Sequence, residues 1–181
     1  MTDVPNREGM GFCPPGLHRL THLQATLPAE VLNQGTWLPW LALPRGNGKA
    51  GKVPALPRAG VLRPIDCRGA GLPLAEAYGL ARQHRAGGIG IVLGPDTGLT
   101  ALDLDTPLTR PAKTLLQDIA GYAARSPGGG VHVWLTGNLL RNRRQAGIEI
   151  LGCGFVTVTG EAWGRGRALG ELGAVLGRLG G

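Results

Sequence analysis

The sequence predicts an α+β fold, in which short helices and short strands alternate with turns rich in glycine and proline. Residues 89–93 and 131–135 are compact, mainly apolar runs that each follow a glycine, which is typical of strands. The turn Gly94–Gly98 joins the first run to a second strand at 99–105, so we expect these two strands to form a hairpin. Residues 74–85 instead show helical spacing, with an apolar stripe formed by Leu74, Ala77, Tyr78 and Ala81.

The chain length predicts one domain, or one domain with two lobes, with a substantial core. It has 181 residues. Residues 1–16 are polar and contain three prolines, which predicts a flexible N-terminal arm. Residues 17–165 are predicted to form the main domain. Residues 166–181 form a C-terminal tail with leucine and valine at roughly helical spacing, weakened by glycines.

The charge of the chain favours a polyanionic partner. Its net charge is +7 and its pI is about 10.2, carried mainly by arginine. Nucleic acid is the first candidate and nucleotide the second. A general enrichment in glycine, proline, alanine and arginine would explain the same charge without a partner. Aromatic residues make up only 4% of the chain, which argues against binding through many stacked bases.

Nothing in the sequence predicts a membrane or an oxidising compartment. No stretch approaches the ~20 apolar residues of a membrane span, and the N-terminal residues lack the pattern of a signal peptide. The cysteines are odd in number and scattered, without the spacing of a metal site: Cys13, Cys67 and Cys153. We therefore expect a cytoplasmic protein without disulfides or zinc and without a membrane partner.

The first part of the chain predicts a short helix, a strand and a loop with two lysines. The helix begins near Pro28, and the strand covers 37–41. His18 and His22 have the spacing of a helical ligand pair, but with no third ligand nearby we expect surface residues. The loop 45–54 lacks the Gly-Lys-Ser/Thr ending of a P-loop. It can contact phosphate through Lys49 or Lys52, or be a solvated linker. Residues 54–73 are predicted to be irregular.

The second part predicts a helix, a glycine loop and three strands. The helix, capped by Thr106, begins at Pro107 or Pro111 and runs to about Ala124. The loop Ser126–Gly130 contains three glycines, so its backbone can approach a ligand closely. His132 lies on the strand that follows. The densest basic patch comes next, formed by Arg141, Arg143 and Arg144. Beyond it, Glu149 lies on a short apolar strand, and Thr157 and Thr159 share one face of the last strand.

Asp103 and Asp105 are the focus of the predicted site. Their spacing places them on one face of a strand, with Leu102 and Leu104 on the other. Two neighbouring carboxylates repel each other, and a bound divalent cation removes this repulsion. The alternative is a strand end with two solvated aspartates.

Glu149 adds a third carboxylate, which suits Mg²⁺ or Mn²⁺. Two such ions can activate an attacking 3′-hydroxyl and neutralise a leaving pyrophosphate. His132 has no serine or cysteine partner, so we expect it to bind phosphate or to orient a metal-bound group.

Three motifs in this order resemble those of the prim-pol domain, the bifunctional DNA primase/polymerase family of the archaeo-eukaryotic primase superfamily. Gly-Leu-Thr-Ala-Leu-Asp-Leu-Asp at 98–105 resembles its hydrophobic-Asp-hydrophobic-Asp motif. Ser-Pro-Gly-Gly-Gly-Val-His at 126–132 resembles its serine-x-histidine motif. Glu149, followed by Phe-Val-Thr-Val-Thr-Gly at 155–160, resembles its third motif. The resemblance covers residues 30–162 and includes upstream segments at 37–40, 51–54 and 88–93.

The resemblance implies both a fold and an activity. The fold is an RRM-like antiparallel sheet that carries the acidic residues, fused to a smaller N-terminal α/β lobe. The activity is synthesis of primers or DNA on a single-stranded DNA template from NTPs or dNTPs. A helicase or a primase C-terminal helical domain is the implied partner, in the same chain or separate. Asp103, Asp105 and Glu149 would hold the metals.

The resemblance also implies a nucleotide pocket. His132 would contact the triphosphate, and the pocket would be lined by Ser126, Gly128, Gly129, Gly130 and Thr159. Further contacts to phosphate or template would come from Lys49, Lys52, Arg141, Arg143 and Arg144.

The chain departs from the family pattern at two positions, which leaves other functions open. Gly130 stands where the strict motif has serine, and Gly154 where related sequences often have arginine. One alternative is a nucleic-acid-binding replication module without catalytic activity. Another is a metal-dependent nuclease or phosphohydrolase that uses the same carboxylates.

Overall fold

The computed structural model describes residues 17–46, 50–119, 121–145 and 147–180. Within these ranges the chain forms two β-sheets and five helices, which confirms the predicted α+β class. The helices are α1 Leu20–Thr26, α2 Ala29–Leu32, α3 Leu74–Gln83, α4 Arg110–Asp118 and α5 Leu172–Arg178. The strands are β1 Trp37–Pro44, β2 Ala50–Arg58, β3 Val61–Pro64, β4 Gly88–Leu93, β5 Leu99–Leu104, β6 Ala123–Arg125, β7 Val131–Thr136, β8 Arg143–Gln145, β9 Ile148–Leu151, β10 Gly154–Val158 and β11 Gly170–Glu171. The predicted arm at 1–16 lies outside the described residues.

The two sheets are not built from two successive parts of the chain. The first sheet has the order β10-β4-β1-β2-β3, with antiparallel neighbours throughout. The second has the order β11-β7-β5-β9-β8, with β6 also paired to β7. Only the β11–β7 pairing among these is parallel. Because β10 returns to the first sheet between β9 and β11 of the second, no single cut in the chain separates the sheets.

The hairpin predicted for residues 89–105 is wrong. β4 pairs with β1 and β10 in the first sheet, whereas β5 pairs with β7 and β9 in the second. Both edges of β4 are therefore occupied, and all six of its residues are buried. The turn after β4 carries the chain from one sheet to the other. The residues at 94–98 correctly predicted a turn after β4, but they did not predict which strands β4 and β5 pair with.

The prediction of irregular structure over 54–73 is also partly wrong, because β2 and β3 form a hairpin there. Ala59 and Gly60 connect these strands with φ angles of 50° and 80°. A two-residue turn with positive φ at both positions matches the right-handed twist of paired strands. Pro54 still contributes an acceptor, since its carbonyl receives the Ile65 amide at 3.0 Å.

Helix α3 has the predicted apolar stripe, and α4 begins at Arg110, one residue before Pro111, which is one of its two predicted starts. The cap of α4 is not the predicted Thr106, and the helix ends earlier than predicted. All four stripe residues of α3 are buried. Helix α4 is capped by Thr109, whose hydroxyl accepts from the Ala112 amide at 3.3 Å. It ends at Asp118, and Ala124, the predicted helix end, lies in β6. None of the helices in the described ranges combines the length and the apolar character needed to cross a membrane.

The two faces of β5 belong to different hydrophobic clusters. Leu102 and Leu104 are fully buried in a cluster with side chains from α4 and α5. Leu99 and Ala101 are buried in the other cluster, which includes residues of the first sheet and of α1 and α3. Asp103 has the same face as Ala101, because side chains alternate along a strand. The helices therefore cover one face of the second sheet, and Asp103 points away from them.

The C-terminal segment packs onto the second sheet. β11 pairs with the end of β7, and α5 follows directly. Leu172 and Val175 of α5 are buried in the same cluster as Leu102. Residues 170–178 thus contribute to the core beneath the second sheet.

Tyr122 makes the stability of the fold sensitive to alkaline pH. Its side chain is buried, and burial raises its pKa from the ordinary 10 to about 12, although nearby Thr26 lowers it in part. A raised pKa stabilises the fold fully below pH 10, and this contribution is lost as pH rises through 12. We expect the wild type to lose about 2 kcal/mol more than Tyr122→Phe between pH 9 and pH 12. Urea unfolding at both pH values measures this. Equal losses in the two proteins would contradict it.

Candidate functional site

Four side chains form a row across the second sheet. Asp103 on β5 lies directly opposite His132 on β7 and Glu149 on β9. Arg144 on β8 continues the row, opposite Glu149. Directly opposite residues on antiparallel strands project from the same face of a sheet. All four therefore lie on the face away from α4 and α5.

His132 links the row to the first sheet. Its side chain is buried, and its Nδ1 lies 3.0 Å from the carbonyl oxygen of Thr157 on β10. A carbonyl can only accept, so Nδ1 carries the proton. The other ring nitrogen, Nε2, lies 3.4 Å from Oδ1 of Asp103. The ring is thus held in one orientation between the two sheets.

Asp103 is held in its ionised form by its cationic neighbours. Burial alone would raise the pKa of this carboxyl group, whose side chain is 31% exposed. The hydrogen bond and the charge of His132, with the charges of Lys52 and Arg144, outweigh burial and lower the pKa below its ordinary value. The carboxylate is therefore charged at neutral pH.

Glu149 brings a second carboxylate next to Asp103. Its Oε1 lies 3.3 Å from Nη1 of Arg144, and its side chain is 37% exposed. Like charges directly opposite each other on neighbouring strands destabilise a sheet. Arg144 and Lys52 offset part of this repulsion.

Asp105 lies one residue beyond the end of β5 and is exposed. The structure therefore places Asp103 and Glu149 side by side, with Asp105 at the adjoining strand end.

A small cavity between the sheets opens beside the row. It has a volume of about 200 Å³ and is lined on one side by Asp103 and His132. Arg45, Lys52 and Phe155 line the other side. No sequence pattern indicated Arg45 or Phe155 as a residue of the site. Arg45 begins the loop with the lysines, and that position was the only signal for it. Lys49, a predicted contact to phosphate or template, lies outside the described residues.

The glycine loop, Ser126–Gly130, lies beside Lys52 and the end of β5. The Ser126 amide donates to the Gly130 carbonyl at 2.8 Å, which closes a tight turn. A Cβ atom at Gly128 would lie 3.2 Å from Nζ of Lys52. At Gly130 it would lie 2.7 Å from the Leu104 carbonyl oxygen and 3.2 Å from Oγ of Ser126. The loop backbone therefore abuts the end of β5, and the Ser126 hydroxyl lies where a side chain at 130 would begin.

Three other predicted residues lie outside the row. Thr159 is buried, and its hydroxyl donates to the Arg125 carbonyl at 2.6 Å and accepts from the Glu161 amide at 3.1 Å. It fastens the chain after β10 to β6. Arg143 is opposite Ile150, so it projects from the helix-covered face, opposite to Arg144. Arg141 is exposed in the loop before β8. The predicted basic patch is thus divided between two faces.

The donors at the site fit a hard divalent cation in chemical type. Across the described segments, no three His, Cys, Asp or Glu side chains are grouped closely enough to hold a metal ion. However, Mg²⁺ is commonly bound by one or two carboxylates, with water and substrate phosphates as its other ligands. Asp103 and Glu149 supply two carboxylates on neighbouring strands. A metal bound jointly with a phosphate substrate fits this arrangement better than a closed protein cage.

Comparison with known proteins gives no independent identification. No protein-family model matches the chain, and no curated protein matches it significantly. The resemblance drawn from the three motifs therefore stays a prediction.

Gly130 and Gly128 form a matched pair for testing the loop. Both have backbone angles that alanine can adopt. We expect Gly130→Ala to lose about 1–3 kcal/mol of stability, because its Cβ would overlap the Leu104 carbonyl. Gly128→Ala meets only the flexible end of Lys52, so it should stay close to the wild type. Chemical denaturation compares the two. A Gly130→Ala protein as stable as Gly128→Ala would show that the loop does not abut β5.

Proposed function

We propose that the chain is a metal-dependent nucleotidyltransferase of the prim-pol kind, which synthesises primers or DNA on a single-stranded template from nucleoside triphosphates. The observation that carries the proposal is the register of three strands. It brings together Asp103, His132 and Glu149, the central residues of three separate motifs. Two neighbouring carboxylates within a ring of cations suit a substrate that is itself a metal–phosphate complex.

In this proposal the carboxylates hold the metal. Asp103 and Glu149 would hold Mg²⁺ or Mn²⁺ from neighbouring strands, and Asp105 lies at the adjoining end of β5. When bound, two such ions lower the pKa of an attacking 3′-hydroxyl and neutralise the leaving pyrophosphate. Because Asp103 is ionised at neutral pH, it needs to lose no proton before it binds a cation.

The cations around the cavity serve the triphosphate. Lys52 and Arg45 face Asp103 and His132 across it. The glycine loop and the Ser126 hydroxyl, next to Lys52, add donors at one end. His132 keeps its ring orientation through Thr157 and directs Nε2 towards Asp103, where a phosphate oxygen can be bound as well. Thr159 acts by fixing the end of β10 rather than by touching the nucleotide.

In this proposal the two sheets have different roles. The second sheet, with its helix-covered and open faces, corresponds to the RRM-like catalytic sheet. The first sheet supplies the basic wall of the cavity and corresponds to the second lobe. The net charge of +7 suits a single-stranded DNA template. We further propose a cytoplasmic location and a helicase or primase C-terminal domain as partner.

The contacts of His132 favour polymerisation over hydrolysis. A nuclease or phosphohydrolase needs a base that can take a proton from water. Here Nδ1 is bound to a backbone carbonyl, and Nε2 faces the Asp103 carboxylate at 3.4 Å. Both ring nitrogens therefore already face protein oxygens, and no other histidine of the described residues lines the cavity beside Asp103.

The carboxylate pair is tested with Asp103→Asn and Glu149→Gln. Each variant should abolish template-dependent incorporation of nucleotides with Mn²⁺ or Mg²⁺, and each should weaken Mn²⁺ binding measured by electron paramagnetic resonance. Asp118→Asn is the matched control, because Asp118 pairs with Arg178 on the far side of the second sheet. Wild-type binding of template without synthesis would select the non-catalytic alternative, and degradation of the template the nuclease.

Arg144 and Arg143 separate a role in the site from a general effect of charge. They are adjacent in sequence but project from opposite faces of β8. We expect Arg144→Ala to reduce kcat/KM for the nucleotide roughly tenfold or more, because a cation beside the carboxylates and the phosphates is lost. Arg143→Ala should stay within about threefold of the wild type. Equal losses in the two variants would point to non-specific electrostatics.

A further inference from the structure

A second cavity lies on another part of the molecule. It has a volume of about 240 Å³ and is bounded by Thr26 at the end of α1, by Tyr122 before β6, and by the segment 162–167 after β10. It shares no lining residue with the cavity beside Asp103. It is therefore a separate site, and its chemistry can be considered independently of the proposed polymerase activity.

Backbone contacts hold the wall of this cavity in place. The Trp163 amide donates to the Ala123 carbonyl at 2.7 Å, and the Tyr122 amide donates to the Ala168 carbonyl at 2.7 Å. Between these contacts, a Cβ atom at Gly166 would lie 2.4 Å from the Gly121 carbonyl oxygen, so the two backbones are in direct contact. The segment with the cavity's basic residues is thus packed against β6 and the residues before it.

The cavity is lined by positive charge that no carboxylate neutralises. Arg165 and Arg167 both line it and are exposed. Neither is in an ion pair with the described residues, and no acidic residue lines the cavity. Of the two flanking carboxylates along the chain, Glu161 pairs with Arg125 at 3.0 Å and Glu171 lies in β11, and neither lines the cavity. Two guanidinium groups in this arrangement favour an anion, and their planar donor geometry suits phosphate.

Tyr122 adds a buried donor to the same cavity. Its side chain is 1% exposed, and its hydroxyl has no hydrogen-bond partner among the described residues. Thr26 lies close enough to lower the pKa of the phenol in part, but its hydroxyl donates to the His22 carbonyl at 2.8 Å and does not reach hydrogen-bonding geometry with Tyr122. An unsatisfied buried hydroxyl is costly unless a ligand or water completes it. A phenol keeps its proton at neutral pH, so the Tyr122 hydroxyl can donate to an anion.

We propose that this cavity binds one phosphate group of a nucleotide or of a nucleic-acid backbone, held by Arg165, Arg167 and the Tyr122 hydroxyl. All three are donors, and phosphate offers acceptors only. The volume lies below the ~300–1,000 Å³ of clefts that enclose a drug-sized ligand. It therefore suits a single phosphate with part of its sugar rather than a whole nucleoside triphosphate.

The test uses inorganic phosphate as the probe and the full chain as the protein. Isothermal titration at constant ionic strength, with chloride as the balancing anion, should show saturable binding to the wild type. Arg165→Ala/Arg167→Ala should weaken it roughly tenfold or more, and Tyr122→Phe several-fold. The matched control is Arg58→Ala/Arg63→Ala, which removes the same charge from the exposed β2–β3 hairpin and should leave binding unchanged. Binding to the double variant at wild-type strength would overturn the proposal, and so would a wild type that does not bind phosphate.

Competition then distinguishes the two sources of the phosphate. Displacement by an oligothymidylate without a terminal phosphate would identify the nucleic-acid backbone as the occupant. Displacement by thymidine 5′-monophosphate, but not by that oligonucleotide, would identify a nucleotide. Either result supports the phosphate site, whereas displacement by neither would overturn it. The readout is binding alone, so its outcome is separate from success or failure of the synthesis assay.

Discussion

The register of β5 between β7 and β9 is the constraint on which the candidate site depends. Asp103 lies opposite His132 on one side and Glu149 on the other because both neighbours are aligned to the same residue. A slip of one residue would turn Asp103 towards the cluster beneath α4 and α5 and bring Leu102 or Leu104 to the open face. Burial of those leucines opposes the slip strongly, so hydrophobic packing on one face of the sheet fixes the electrostatics on the other.

A second constraint holds the two sheets together at the same place. The hydrogen bond from His132 to the Thr157 carbonyl crosses between them, and the cavity beside Asp103 is lined from both. Lys52 approaches Asp103 from the first sheet, while Arg144 approaches from the second. The charges of the site are therefore balanced only when the sheets are assembled. This balance makes the cleft between the sheets, rather than either sheet alone, the unit to which a substrate would bind.

Local periodicity in the sequence predicted which residues share a face of a helix or strand better than it predicted which strands pair. The apolar stripe of α3, the alternation around Asp103 and the positions of His132 and Glu149 on strands all follow from local periodicity. The hairpin of 89–105 failed because strand pairing depends on which edges remain free, and β10, some sixty residues later, occupies one of them. Arg143 and Arg144 formed one patch in the sequence, but alternation on a strand divides them. Arg45 belongs to no sequence motif, and its place in the cavity wall follows only from the pairing of β1 with β2.

The return of β10 to the first sheet also has a consequence for how the chain folds. During synthesis, β1 to β4 emerge early, but one edge of β4 has no partner until residues 154–158 have been made. An unpaired, wholly apolar strand edge is prone to pair with other chains. Long-range pairings of this kind also slow folding, because the loop must close before the contacts form. An N-terminal fragment that stops before β10 would carry this exposed edge permanently, so the first sheet is completed only by a nearly full-length chain.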